Sequence, residues 1–231
     1  MKLFLIRHGH PDYETDSLTE AGWEHARLVA PALAKFGIDR VFTSPMGRAR
    51  QTAEPFCALT GLIPSVEDWT REVAQEFFLP DMFAVNIQGT VLRAGENREL
   101  TRDNWHTAKC LSPIDAKAGY DRIRRDADAF FERLGYRREG GVYRILSANE
   151  ENVALFCHEG FTKTLVGYLL DMPIAHAWCN FTFPYTSISL FEFLNTEGEG
   201  GFTAPRCRFL ADASHLRTDG HGIENRELGV W

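Results

Sequence analysis

Residues 1–12 read MKLFLIRHGHPD, and this stretch decides the fold. Leu3, Phe4, Leu5 and Ile6 form an apolar run without polar alternation, the pattern of a strand covered on both faces in a parallel sheet. The run stops abruptly at Arg7, His8, Gly9 and His10. A buried strand therefore hands over, at its carboxyl end, to a cluster of ionisable side chains. In open α/β sheets that is where ligands bind.

Working outward, SLTEAGWEHARLVAPALAKFG (17–37) repeats apolar residues at helical spacing, with Thr19 as N-cap, Gly37 as C-cap and Pro31 as a kink. DRVFTS (39–44) is a second short strand, and PMGRARQTAEPFCALTG (45–61) a helix opened by Pro45 and closed by Gly61. From about 76 to 119 the periodicity weakens, and the segment reads as an insertion of short helices and loops. YDRIRRDADAFFERLG (120–135) then gathers Tyr120, Ile123, Ala127, Phe130, Phe131 and Leu134 on one helical face. Strands follow at GVYRIL (141–146) and NVALFC (152–157), a helix after HEG (158–160), and closing strands at TSISLFEF (186–193) and RCRFLA (206–211) around the Gly-rich NTEGEGG (195–201). The polar tail after Leu216 reads as loosely ordered. Alternating strands and helices predict a layered α/β sheet, and 231 residues without an internal repeat predict a single domain, 1–231.

Bulk properties exclude several classes. A formal net charge of −7 disfavours a nucleic-acid-binding surface, because affinity for phosphate backbones rests on clustered Lys and Arg. The opening apolar run is too short for a signal-peptide core, and no stretch approaches the roughly 20 apolar residues that span a bilayer. Cys57, Cys110, Cys157, Cys179 and Cys207 lie far apart and are odd in number, against a disulfide framework or zinc cluster and in favour of a reducing cytoplasm. Any anionic ligand must be met by a local positive site.

Such a site is written at three strand ends. NVALFC ends in His158, Glu159 and Gly160 before a helix, and RVFTS leads into Arg48 and Arg50 near a helix start. Guanidinium forks match phosphate oxygens, and helix N-termini add partial positive charge. Together LIRHG, SPMGRARQTA and FCHEG resemble the histidine phosphatase superfamily, also called phosphoglycerate-mutase-like. DSLTEAGWEHA and DASHL are similar to parts of its small bacterial phosphatase branch. The resemblance covers roughly 2–75 and 150–216 and leaves the insertion uncovered.

That resemblance implies a three-layer α/β/α sandwich with a mostly parallel central sheet, hydrolysing small phosphate monoesters through a phosphohistidine without metal or cofactor. It implies His8 as nucleophile, with Arg7, Arg48 and His158 holding the phosphoryl oxygens. Gly9 allows a close turn beside the ring, and a backbone carbonyl there can fix the tautomer. Glu72 is the implied proton donor to the leaving oxygen. The chain departs from the pattern twice. AQEFFLP (74–80) replaces the usual Gly-rich run, and Glu159 stands where the small-phosphatase branch has glycine and the acid-phosphatase branch has an Asp proton donor. Glu159 therefore competes with Glu72 for the acid role, and His10 is a further candidate to line the pocket.

Other readings stay open on the sequence. Mutase-type phosphoryl transfer is one. A metal hydrolase is another, because His8, His10 and Asp12 after the first strand resemble a metal-ligand set. A third is a phospho-ligand-binding module without turnover. Cys157 reads as a packed strand-end thiol, lacking the Cys-x5-Arg loop of a thiol phosphatase. Asp126 and Asp128 fall within a helical pattern, away from any strand end. The insertion, with Phe77, Phe78, Met82, Phe83 and Trp105 beside Arg93, Arg98 and Arg102, reads either as a cap selecting the non-phosphate part of the substrate or as a small satellite core. The expected partner is a small phosphorylated metabolite.

Overall fold

The structure, a computed structural model, describes residues 1–73, 77–93, 96 and 98–216. Its centre is a six-stranded sheet of β1 (Lys2–Arg7), β2 (Arg40–Thr43), β3 (Ser65–Val66), β4 (Asn152–Cys157), β5 (Ile188–Glu192) and β6 (Arg206–Asp212), in the order β6-β5-β1-β4-β2-β3. Pairings β1 with β4, β4 with β2, and β2 with β3 are parallel, and β5 pairs antiparallel with both β1 and β6. One strand therefore runs against the other five.

Burial explains the opening run. Leu3 and Leu5 join one apolar cluster, whereas Phe4 and Ile6 join another across the sheet. Every side chain is apolar because both faces are covered. The second face packs on α1 (Glu20–Ala34) and α2 (Gly47–Thr60) through Val29, Leu33, Ala53 and Phe56. The first packs on α3 (Ala116–Arg133), α4 (Glu159–Leu169) and α5 (Ile174–Asn180). This is the predicted three-layer sandwich.

Local signals act largely as read. Thr19 accepts from Gly22 N–H at the start of α1, and Gly61, at φ 75°, ends α2. Helix α1 stops two to three residues before Gly37, however, and α2 begins at Gly47 instead of Pro45. GVYRIL forms no central strand: Val142–Ile145 pairs with Tyr136–Glu139 and Phe202–Thr203 in a separate three-stranded sheet. The tail after Leu216 lies outside the described residues.

Among its described residues the segment read as an insertion contains a two-residue ladder, Phe78–Leu79 on Met82–Phe83, single turns, a short helix, Gly89–Arg93, and the first turn of α3. Phe77, Val85, Leu92, Trp105 and Leu111 belong to the same apolar cluster as Leu3, Leu5 and Leu155. The segment thus extends the main core and forms no satellite. Among the described residues no helix is long and apolar enough to cross a membrane.

Candidate active site

Sheet register builds the site. Arg7 pairs with Cys157 across the parallel β1 and β4, so the next residues, His8 and His158, emerge side by side at two adjacent carboxyl ends. Their ring centroids are 5.2 Å apart, and both are buried. Gly9 follows where the chain passes α1 so closely that a Cβ would stand 2.6 Å from Gly22 O, which only glycine tolerates.

The backbone fixes the His8 tautomer. His8 Nδ1–H donates to its neighbour's carbonyl, Gly9 O, at 2.7 Å, leaving a lone pair on Nε2. Arg48 Nε donates to that Nε2 at 3.2 Å. Burial, and then the charges of Arg7 and Arg48, push the His8 pKa well below its ordinary value, so the imidazole is neutral at physiological pH. His158 is likewise held neutral, by burial first and its cationic neighbours after. Its Nε2 lies 2.7 Å from Ser44 Oγ, and its buried Nδ1 has no hydrogen-bond partner among the described residues.

Two buried guanidiniums flank the imidazoles, each with its own carboxylate. Arg48, in the first turn of α2, is ion-paired with Asp16, whose other oxygen accepts from Gly47 N–H at 2.7 Å. Arg7 lies over the Tyr185 ring at 4.2 Å, and its Nη1 donates to Phe183 O at 2.6 Å and meets Glu159 Oε2 at 3.0 Å. Glu159 Oε1 in turn meets Lys163 Nζ at 3.0 Å. Glu72 lies beyond the N-terminus of α4, accepting from Phe161 N–H at 2.9 Å and Gly160 N–H at 3.3 Å.

Of the residues singled out in the sequence, Arg7, His8, Arg48, His158, Glu159 and Glu72 therefore converge. His10 sits at the edge: Nδ1 is 3.0 Å from Thr19 Oγ1, and its ring meets Tyr185 edge-on. Arg50 is exposed. Cys157 is buried, and burial pushes its thiol up to about 12, so it is an inert packing group. Asp128 lies on α3, hydrogen-bonded to Tyr168. Sequence reasoning passed over Ser44, Asp16, Tyr185 and Lys163. Ser44 carried a legible signal, a polar residue at a strand end, whereas Asp16 reaches the start of α2 from 31 residues upstream and had none.

No group of three or more metal-ligating side chains is assembled among the described residues. Against a metal at His8, the Nε2 that would bind it faces a guanidinium. A separate cavity of about 460 Å³ lies towards the other end of α4, lined by Trp105, Tyr120, Arg138 and Tyr168. Its charges are satisfied by one another, as in Arg138 and Arg102 with Asp171.

Comparison with known proteins agrees with this geometry. The profile of the histidine phosphatase superfamily, branch 1, matches residues 3–78 and 91–200. The adenosylcobalamin/alpha-ribazole phosphatase of Salmonella typhi is 25% identical over 194 residues, 77% of this chain and 84% of that protein. Two solved structures share the fold. A phosphoserine phosphatase from Entamoeba histolytica in complex with 3-phosphoglyceric acid has a TM-score of 0.60 at 20% identity, covering 93% of this chain and 98% of that one. The native mycobacterial glucosyl-3-phosphoglycerate phosphatase has a TM-score of 0.61 at 20% identity, covering 91% and 98%. With the matched residues spanning most of its length and the two histidines at adjacent strand ends, the chain belongs to the histidine phosphatase superfamily, branch 1. It is a phosphoric monoester hydrolase, of a superfamily whose chemistry needs no metal, acting on small phosphomonoesters.

Proposed function

We propose that His8 Nε2 is the nucleophile of this phosphatase and that its substrate is a small phosphorylated metabolite. The observation that carries this reading is the fixed, neutral tautomer of a buried His8, with its lone pair on Nε2 beside Arg48. Attack forms the N–P bond as the ester P–O bond breaks, and water then releases inorganic phosphate from the phosphohistidine. Arg7 and Arg48 stabilise the equatorial oxygens, and a phosphoryl oxygen gives His158 Nδ1 the partner it lacks.

Glu72 protonates the leaving oxygen. Its carboxylate accepts only from backbone N–H groups among the described residues, whereas both Glu159 oxygens are taken by Arg7 and Lys163. His10 lines the rim. The chain acts as one domain, 1–231, in which the exposed face of the 77–111 segment, with Phe78, caps the crevice. Relatives named for phosphoserine and glucosyl-3-phosphoglycerate support a polar metabolite, and one named for adenosylcobalamin and alpha-ribazole widens the panel to larger, aromatic groups. Five free cysteines support a reducing cytoplasm.

The test is hydrolysis of p-nitrophenyl phosphate and a panel of sugar, glycerate and amino-acid phosphates in EDTA, by wild type and His8→Ala. Turnover that survives EDTA and vanishes in the variant is the expected result. Turnover indifferent to His8, or abolished by EDTA, overturns the mechanism.

A further inference from the structure

Around the phosphate cradle Arg48 is paired with Asp16, Arg7 and Lys163 share Glu159, and Glu72 stands against the N-terminus of α4. The cradle is therefore no simple positive hole. An incoming phosphate meets guanidiniums that already carry counter-ions, and at Arg7 the counter-ion is itself shared. Glu159 Oε2 holds Arg7 Nη1, while Oε1 is held by Lys163 Nζ, both at 3.0 Å. Lys163 is almost wholly buried, and its ammonium also donates to Val85 O at 3.1 Å and Asn86 Oδ1 at 3.3 Å. Those acceptors belong to a single turn, Ala84–Asn86, packed so tightly on the start of α4 that a Cβ on Gly160 would stand 2.9 Å from Val85 Cγ2. Lys163 is thus fixed from outside the cradle and cannot follow Glu159 if that side chain moves.

We propose that Glu159 and Lys163 are positioning residues that set the affinity of Arg7 for phosphate, Glu159 by competing with the ligand for the guanidinium and Lys163 by weakening that competition. The inference rests on the phosphatase reading and deepens it. Opposed signs distinguish it from a merely structural role. Removing the Glu159 charge leaves Arg7 with more attraction for an oxyanion; removing the Lys163 charge leaves Glu159 to Arg7 alone. Loss of packing or order at either position would instead weaken the site in both.

The experiment is calorimetric titration of inorganic phosphate into wild type, Glu159→Gln, Lys163→Met and the double variant, with thermal melts as a check on folding. Glu159→Gln keeps the shape and is expected to tighten phosphate on the order of three- to tenfold, while lowering kcat because Arg7 loses its tether. Lys163→Met is expected to weaken phosphate by a similar factor and to raise KM. The double variant should follow Glu159→Gln, since Lys163 acts only through that carboxylate, and Lys163→Arg should restore wild-type affinity. If Lys163→Met fails to fold, the sign of the Glu159→Gln shift and the Lys163→Arg result decide. Unchanged or weaker phosphate binding in Glu159→Gln, or shifts of the same sign in both single variants, overturns the proposal and leaves the phosphatase reading standing. A wild type that neither binds phosphate nor turns over substrate overturns both.

Discussion

The phosphate cradle and the apolar core of the described part of the 77–111 segment are both buried and are held together by opposite means. In the cradle Arg7, His8, Arg48, His158 and Lys163 are each at most 4% exposed, and every charge is placed by a strand end, a helix start or a paired carboxylate. In the segment Phe77, Trp105 and Leu111 are at most 1% exposed, and apolar contact does the holding, with Trp105 edge-on to Trp178 at 5.3 Å and Phe77 edge-on to it at 4.8 Å. The difference teaches that one region gathers ionisable groups at a cost in desolvated charge, while the other is held by apolar packing. Substitutions should therefore separate the two.

The largest expected effect is at His8. His8→Ala removes the nitrogen proposed to attack and is expected to lower kcat by at least about four orders of magnitude while leaving the melting temperature near wild type, as steady-state assays and thermal melts will show. A large change in melting temperature would blur the comparison. Next, Arg48→Met removes one charge from the transition state, with an expected loss of about 10²–10³ in kcat/KM. Asp16→Asn acts through Arg48 and should cost less, about tenfold, mostly in kcat, with Asp16→Glu partly restoring it.

The segment answers in the other currency. Trp105→Ala is expected to cost about 3–5 kcal/mol in urea unfolding, the range for emptying a packed aromatic site, while kcat/KM for p-nitrophenyl phosphate in the folded fraction stays within about threefold. Because Trp105 is a core residue, it does not report on substrate choice. Phe78 is half exposed and meets Phe83 edge-on at 5.0 Å, so Phe78→Ala is expected to re-rank the substrate panel with little loss of stability. If Trp105→Ala lowers catalysis as much as stability, the two regions are one unit and the comparison fails.

The same contrast explains what was legible in the sequence. Apolar Leu3–Ile6 ending in Arg7 and His8, and Val153–Phe156 ending before His158, announce both the sheet and the site, because strand burial and strand-end chemistry are local features. The strand ends already pointed both histidines towards one crevice, but the register that sets Arg7 beside Cys157 depends on a long intervening stretch of chain and has no local signal. The role proposed for Glu159 was half hidden: its i, i+4 pair with Lys163 is local to α4, whereas Arg7 reaches it from β1, far away in sequence. The segment's aromatics show no helical or strand period because a two-residue ladder and single turns present them, and hydrophobicity without a period does not say which core it joins.

The smallest effect is on acid stability, and it distinguishes the regions by slope instead of magnitude. His8 and His158 are held neutral by burial and neighbouring charge. His215, with Nε2 3.0 Å from Thr186 Oγ1, is lowered by burial to about 4 from an ordinary 6.5. Unfolded, each takes up a proton as the pH falls through about 6.5; folded, each refuses it until much lower pH. Stability is therefore insensitive to these groups above about pH 7 and falls on acidification below it, and for His215 the loss between pH 7 and 5 is about 1–2 kcal/mol. Urea titrations at pH 7, 6 and 5 measure the slope. His215→Gln is expected to flatten it by one histidine's share, and Trp105→Ala to lower the whole curve without changing its slope, because no titrating group in the cradle is touched. An equal change of slope in both variants would mean that loosening the apolar segment already admits protons to the cradle, and that the two regions do not open independently.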